Sequence, residues 1–254
     1  MTILLVDAGN SRLKWAELDA KTGSMSAQQA QAYGKCPAVD VFIGLLDRYP
    51  QVRQVTLVHV LAADFVQGIE AVCVQRHIYL TVVRSTEQAY GITSGYRQPQ
   101  TLGADRFVGL VAAHRLACQK ASIVIDCGTA VTIDAIEQDG RHWGGVILPG
   151  LQLSADALIA RAQGKLSLSF DQPIVFADGT GRAIGGGCLF GLLGAIEGIC
   201  NRMRQTLSTP LVCILTGGNA AQLSAWLPAD YLLQPDLLMH GLRYITEQQG
   251  CTSY

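Results

Sequence analysis

Ile3-Leu4-Leu5-Val6-Asp7-Ala8-Gly9-Asn10-Ser11 and Ile123-Val124-Ile125-Asp126-Cys127-Gly128-Thr129-Ala130 are one pattern written twice. Each is a short apolar run that ends on an aspartate and turns through a glycine. Each then re-enters an alternating run, Leu13 to Leu18 in the first copy and Val131 to Ile136 in the second. That reads as strand, tight turn, strand. The copies lie about half of the 254-residue chain apart, which predicts two related lobes.

The segments between and after the copies supply the rest of each lobe. In the first half, helical periodicity covers Val39–Tyr49, Ala63–Arg76 and Ala104–Cys118, with strands at Val55–Val60 and Ile78–Val83. In the second half it covers Leu151–Arg161, Ala183–Arg204, Ala220–Trp226 and Leu237–Gln249, with a buried strand at Leu211–Leu215. The expected fold is α/β, with mixed sheets flanked by helices. The expected lobes are residues 1–120 and 121–254, and no Pro/Ser-rich linker separates them.

Composition narrows the function. Hydrophobic residues make up 49% of the chain and charged residues 15%, as a packed α/β protein requires. The formal charge is −1 and no Lys/Arg run occurs, so neither nucleic acid nor a membrane surface is an expected partner. Met1 to Asp7 shows no basic leader and no cleavage site, which points to the cytoplasm. Ala183 to Ile196 is the most lipid-like stretch. It reads as too short to span a bilayer and is stopped by Glu197, so a buried helix and candidate subunit contact is the expectation. The 8 cysteines form no C-x-x-C pair and read as reduced, mostly buried small hydrophobes. The 5 histidines lack zinc-ligand spacing.

The aspartate turns carry the chemistry. Glycine lets backbone and ligand approach closely. Exposed amides and the Asn10, Ser11 and Thr129 side chains could then face phosphate oxygens. An aspartate at the strand end suits a hydrated magnesium ion, which takes carboxylate, water and phosphate oxygens together. Either turn alone could equally be a β-turn capped by its own aspartate. Paired at matching places, they are expected to grip a polyphosphate from two sides. Lys14 could reach a phosphate or remain a solvated strand residue. There is no Walker P-loop, G-x-G-x-x-G spacing or G-x-S-x-G elbow to offer another route.

Leu102-Gly103-Ala104-Asp105-Arg106-Phe107 opens a helix after Pro99 and Gly103. Asp105 falls in the first turn, where the helix dipole favours a carboxylate. That placement explains it structurally. The same position suits a base that takes the proton of an attacking hydroxyl, with Arg106 forking onto a substrate anion and Tyr96 walling the acceptor pocket.

Taken together, DAGNS, LGADR, IDCGTA, GGVILPG, GTGRAIG and LTGGN, in that order from Asp7 to Asn219, resemble the type III pantothenate kinases. LGADR followed by D-x-G-T-A is the specific part. The resemblance implies two ribonuclease-H-like lobes of the actin/hexokinase/Hsp70-like fold and a homodimer. It implies transfer of the ATP γ-phosphoryl group to the primary hydroxyl of pantothenate, the first step towards coenzyme A, with Mg2+ and a monovalent cation, K+ or NH4+. It makes Asp105 the general base, and Tyr96, Gly103, Ala104, Asp105, Arg106 and Thr180 the pantothenate contacts, Thr180 reaching across the dimer. Asp7, Ala8, Gly9, Asn10, Ser11, Arg12, Leu13 and Lys14 become the first phosphate loop. Thr129 becomes a nucleotide contact, Asp126 the monovalent-cation ligand and Asp7 a magnesium ligand, directly or through water. Ser11 stands where many members have threonine, and the hydroxyl is kept. Gly217-Gly218-Asn219 resembles an adenosine loop. The rivals are another small-molecule kinase or polyphosphate hydrolase of the superfamily, and a regulator that kept the fold without catalysis. The presence of Asp7, Asp105 and Asp126 argues against the last.

Overall fold

A strand whose two faces are both covered becomes a continuous apolar run, and β1 (Thr2–Ala8) is such a strand, with Leu4, Leu5 and Val6 fully buried. The computed structural model describes residues 2–161, 170 and 174–251. They divide into two compact units, one of Met1–Cys118, Gly140–His142 and Asp236–Tyr254, the other of Gln119–Asp139 and Trp143–Pro235.

In unit 1, β1 pairs antiparallel with β2 (Arg12–Asp19), with Asp7 opposite Lys14. β3 (Gln29–Ala32) follows antiparallel on the far side of β2. β4 (Gln54–His59) and β5 (Tyr79–Val82) extend the sheet in parallel beyond β1, for the order β3-β2-β1-β4-β5. The parallel additions need crossovers, supplied by α1 (Ala38–Arg48) and α2 (Ala63–Gln75). These helices cover the face that carries Leu4, Val6, Val55 and Leu57. Side chains alternate along a strand, so Leu5, Asp7 and Thr56 point to the opposite face. There lie α3 (Ala104–Leu116) and α7 (Leu237–Cys251). A small hairpin, β6 (Gln88–Ala89) with β7 (Ile92–Thr93), and one 3-10 turn at Pro99–Thr101 lead into α3.

Unit 2 repeats the plan. β8 (Ala121–Cys127) pairs antiparallel with β9 (Ala130–Ile136), β10 (His142–Pro149) forms the edge beyond β9, and β11 (Leu211–Thr216) and β12 (Leu232–Leu233) add in parallel, in the order β10-β9-β8-β11-β12. Strand for strand this is the order of the first sheet. Ile123, Ile125 and Cys127 face a core closed by α4 (Leu151–Ile159), α5 (Thr180–Arg204) and α6 (Ala220–Ser224). Asp126 points to the other face, as Asp7 does in its own sheet.

Two expectations change. The division is not a simple 1–120 and 121–254 split, because the C-terminal stretch joins unit 1. There α7 buries Leu237, Met239, Leu242 and Ile245 completely. The apolar stretch at 183–196 belongs to a 25-residue helix, long and apolar enough to pass as a membrane span by length and composition. It nevertheless buries Leu189, Leu192, Leu193, Ile196 and Cys200, at three- and four-residue spacing, in the core of unit 2.

The seam between α7 and the first sheet holds a buried hydroxyl pair. Thr56 Oγ1 and Thr246 Oγ1 are 2.8 Å apart, and Thr246 donates onward to the Leu242 carbonyl at 2.8 Å. Thr56 therefore donates to Thr246. Replacing Thr246 with Val strands the Thr56 hydroxyl and should cost about 1–3 kcal/mol in urea unfolding. The Thr56→Val/Thr246→Val double variant should recover part of that loss, so simple additivity of the two single changes would show the pair is not coupled.

Candidate active site

Asp7 is the last but one residue of β1, the central strand of the first sheet, and is 4 % exposed. Its Oδ2 lies 3.2 Å from Lys14 Nζ, across the hairpin register that sets the two residues opposite each other. Burial pushes the Asp7 carboxyl above the usual carboxylate range, and the Lys14 ammonium opposes the rise. The turn itself is closed by Gly9 N–H donating to the Arg12 carbonyl at 3.2 Å. The Tyr33 amide donates to the Ser11 carbonyl at 3.2 Å, which ties β3 to the turn.

Asp105 sits in the first turn of α3, on the same side of the sheet as Asp7. Its Oδ1 accepts from the Arg106 amide at 2.8 Å. Its pKa is raised, by burial first and by the charge of Asp7 as well, against the lowering pull of Arg106. The helix start thus holds a carboxylate with a stronger hold on a proton than an exposed one. Gly103 is what lets it stay there. A Cβ at position 103 would come within 2.6 Å of Asp105 Oδ1, so any side chain would drive the carboxylate off its amide.

Arg106 donates from Nη1 to Tyr96 Oη at 2.7 Å, and its guanidinium carbon lies 5.4 Å from the Tyr96 ring centre. The Tyr96 amide in turn donates to Ser94 Oγ at 3.3 Å. The other neighbour of Tyr96 is His142, fully buried, with ring centres 5.7 Å apart and planes 21° from parallel. Tyr96, Gly103, Asp105 and Arg106 are therefore one cluster, and Asp7 acts on it electrostatically.

In unit 2, Gly128 N–H donates to the Ala130 carbonyl at 3.1 Å and closes the second turn. Asp126 is paired in register with Thr132 on one side and Thr216 on the other. Gly217, at φ +94°, brings its backbone against Asp126 Oδ1 and Cys127, where no Cβ would fit. Asn219 N–H then donates to the Cys127 carbonyl at 2.9 Å. Gly150 N–H donates to the Thr129 carbonyl at 3.0 Å. The IDCGTA, LPG and TGGN motifs are thus one assembly. Thr180 opens α5 after Gly179 and is exposed.

The sequence model of the type III pantothenate kinases matches residues 3–202. A type III pantothenate kinase from Alkalilimnicola ehrlichii is 36% identical over 253 residues, spanning 97% of this chain and 98% of that protein. The chain belongs to this family. Two solved structures are similar to the type III kinase chain in fold. A Baf family protein from Campylobacter jejuni has a TM-score of 0.60 at 20% identity, covering 97% of this chain and 99% of that one. The archaeal actin homologue Ta0583 has a TM-score of 0.51 at 12% identity, covering 98% and 100%. The fold is actin-like, two mixed sheets flanked by helices.

Sequence reasoning missed His142, which is neither in a motif nor near Tyr96 in the chain. Its only signal was a histidine opening the strand that carries GGVILPG.

The raised Asp105 pKa has a consequence for stability. The folded state binds this proton more tightly than the unfolded chain, so the ionised form costs stability above the raised pKa, and the cost fades as pH falls through it. Asp105→Asn, which can still accept from the Arg106 amide, should therefore unfold at a higher temperature than the parent at neutral pH. The gap should close as the solution is acidified towards the ordinary carboxylate value. An equal or lower melting temperature at neutral pH would contradict the burial argument.

Proposed function

We propose that this kinase transfers the γ-phosphoryl group of ATP to the primary hydroxyl of pantothenate, giving 4'-phosphopantothenate, the first step towards coenzyme A. The observation that carries the reading is Asp105: a half-buried carboxylate with a raised pKa, held at a helix start by Gly103 and flanked by Arg106 and Tyr96. Membership of the family supports the identity of the acceptor. Phosphoryl transfer asks for positioning, charge neutralisation and a base at the nucleophile. Asp105 takes the proton of the acceptor hydroxyl as the oxygen reaches phosphorus. Its raised pKa brings it closer to the operating pH, where a base works best. Arg106, braced by Tyr96, meets the acceptor's carboxylate. Gly103 and Ala104 leave the backbone of the helix start open to it, and Thr180 is a further contact from the partner protomer.

Residues Asp7 to Lys14 form the first phosphate loop, and Thr129 meets the nucleotide from the second turn. Among the described residues no three His, Cys, Asp or Glu side chains gather tightly enough to hold a metal on their own. A magnesium ion is commonly held by one or two carboxylates with water and phosphate oxygens. Asp7, at the strand end, is the carboxylate of this chain for that role. Magnesium, when bound with ATP, neutralises charge on the phosphates. Asp126, in the IDCGTA turn, is the carboxylate of this chain for a potassium or ammonium ion, a role that membership of the family supports. The cytoplasm is the compartment in which ATP and this substrate meet.

The dimer is supported by apolar surface on unit 2. Trp143, Val146 and Ile147 on the edge strand β10, and Leu153 and Leu158 on α4, are all exposed. An edge strand of that character is usually covered.

Incubation with pantothenate, ATP, magnesium and potassium should release ADP, and Asp105→Asn should lower kcat by about 10²–10⁴-fold. A better turnover with glucose or glycerol would reassign the acceptor. Replacing potassium with sodium should slow the parent severalfold, and indifference would remove Asp126 from the cation role. Sedimentation should give twice the chain mass, and Ile147→Glu with Leu158→Glu should halve it. A monomeric parent would reject the dimer.

A further inference from the structure

Arg106 is braced by Tyr96, and Tyr96 needs a brace of its own. Its ring hangs from a loop between Gly95 and Pro99. The phenol oxygen is engaged in accepting from Arg106 Nη1 at 2.7 Å, so the two groups move together unless something else holds the ring. The His142 ring lies against the face of Tyr96, with centres 5.7 Å apart and planes 21° from parallel, a separation at which aromatic pairs attract. His142 is fully buried, and the backbone around it is pinned. The Thr93 amide donates to the Gly140 carbonyl at 2.9 Å, and Thr93 bridges Arg141 in parallel. Residues 140–142 are thereby stitched to β7, the strand that leads into the Tyr96 loop. Gly140, at φ +87°, presses on the Gly91 carbonyl, where no Cβ would fit. A Cβ added at Gly91 or Gly140 would meet the ring of His114 on α3 at 3.6 or 3.5 Å. The Tyr96 loop, the His142 ring and the helix that carries Arg106 thus hang from one frame, all within unit 1.

We infer that His142 is a positioning residue for recognition of the acceptor's carboxylate: it sets the plane of Tyr96, and Tyr96 aims the Arg106 guanidinium. This deepens the pantothenate reading above and rests on it. A guanidinium grips a carboxylate through two parallel hydrogen bonds, so its orientation matters as much as its charge. A tilted fork keeps the charge and loses the paired geometry. The loss then falls on recognition of the carboxylate, and leaves the proton transfer at Asp105 and the nucleotide contacts alone. An acceptor with no carboxylate gains nothing from the fork and is indifferent to its tilt.

The test compares pantothenate with panthenol, in which a hydroxymethyl group replaces the carboxylate, on the full chain at saturating ATP. His142→Gln, which removes the ring, should raise the KM for pantothenate about two- to tenfold, the worth of one aromatic pair. Its kcat and its KM for ATP should stay near the parent's, and its preference for pantothenate over panthenol should fall by the same factor as the KM rises. His142→Phe, which restores a ring against Tyr96, should recover most of that preference. Equal losses with both acceptors would make His142 a plain core residue and overturn the proposal, as would a phenylalanine variant no better than the glutamine one. A measurement on the parent covers the case of a variant that folds poorly. The imidazole nitrogen signals of His142 in the labelled protein should shift on saturation with pantothenate and much less with panthenol, and signals that respond alike to both would also overturn it. A parent that leaves pantothenate unphosphorylated sinks the acceptor reading and this role together, whereas a parent active on pantothenate beside an unchanged His142→Gln sinks this role alone.

Discussion

A carboxylate at the inner end of a central strand is the constraint on which the first unit turns. Asp7 has lost nearly all its water, and a charge in that position must be offset or neutralised. The antiparallel register of β1 and β2 supplies the offset by setting Lys14 directly opposite. The same burial makes Asp7 felt at a distance, because a low-dielectric interior screens charge weakly. Asp105 registers it as a further push on its own proton. A sheet that placed Asp7 on the α1/α2 face would bury the charge in a wholly apolar core.

From that constraint the rest of the cluster follows as a sequence of supports. Gly103 leaves room for the Asp105 carboxylate, the Arg106 amide accepts the role of anchor, and the Arg106 guanidinium is braced by the Tyr96 hydroxyl and ring. His142 closes the far side of Tyr96. Each member is held by the next, so the side chains of the cluster sit in fixed rotamers. Preorganisation of this kind lowers the ordering cost of binding and catalysis. The duplicated hairpin in unit 2 meets a similar problem differently. There a glycine backbone, rather than a lysine, comes up against the aspartate.

Much of the architecture was legible in the chain because its signals are local. The two D-x-G turns, the amphipathic helices and the buried strands Gln54–His59 and Leu211–Thr216 announce themselves by periodicity and glycine placement. The edge strands β3 and β10 did not. All four residues of β3 are exposed, so no alternation between core and solvent marks it. β10 begins beside a turn and carries apolar residues outward. The cluster was readable in part: Gly103, Asp105 and Arg106 are consecutive or nearly so, and Tyr96 lies in the preceding loop. His142 was not readable, since no spacing rule connects a loop tyrosine to a distant strand.

The amino-acid order by itself determined the two aspartate hairpins, the helices that cross between parallel strands, and the helix start that carries Asp105, because each depends on backbone preference and hydrophobic period within a short window. Only the tertiary structure decided where α7 belongs, which face of each sheet holds its aspartate, and which side chains brace Asp105 and Arg106. Those outcomes depend on burial, and burial is a property of what packs against a residue rather than of its neighbours in the chain.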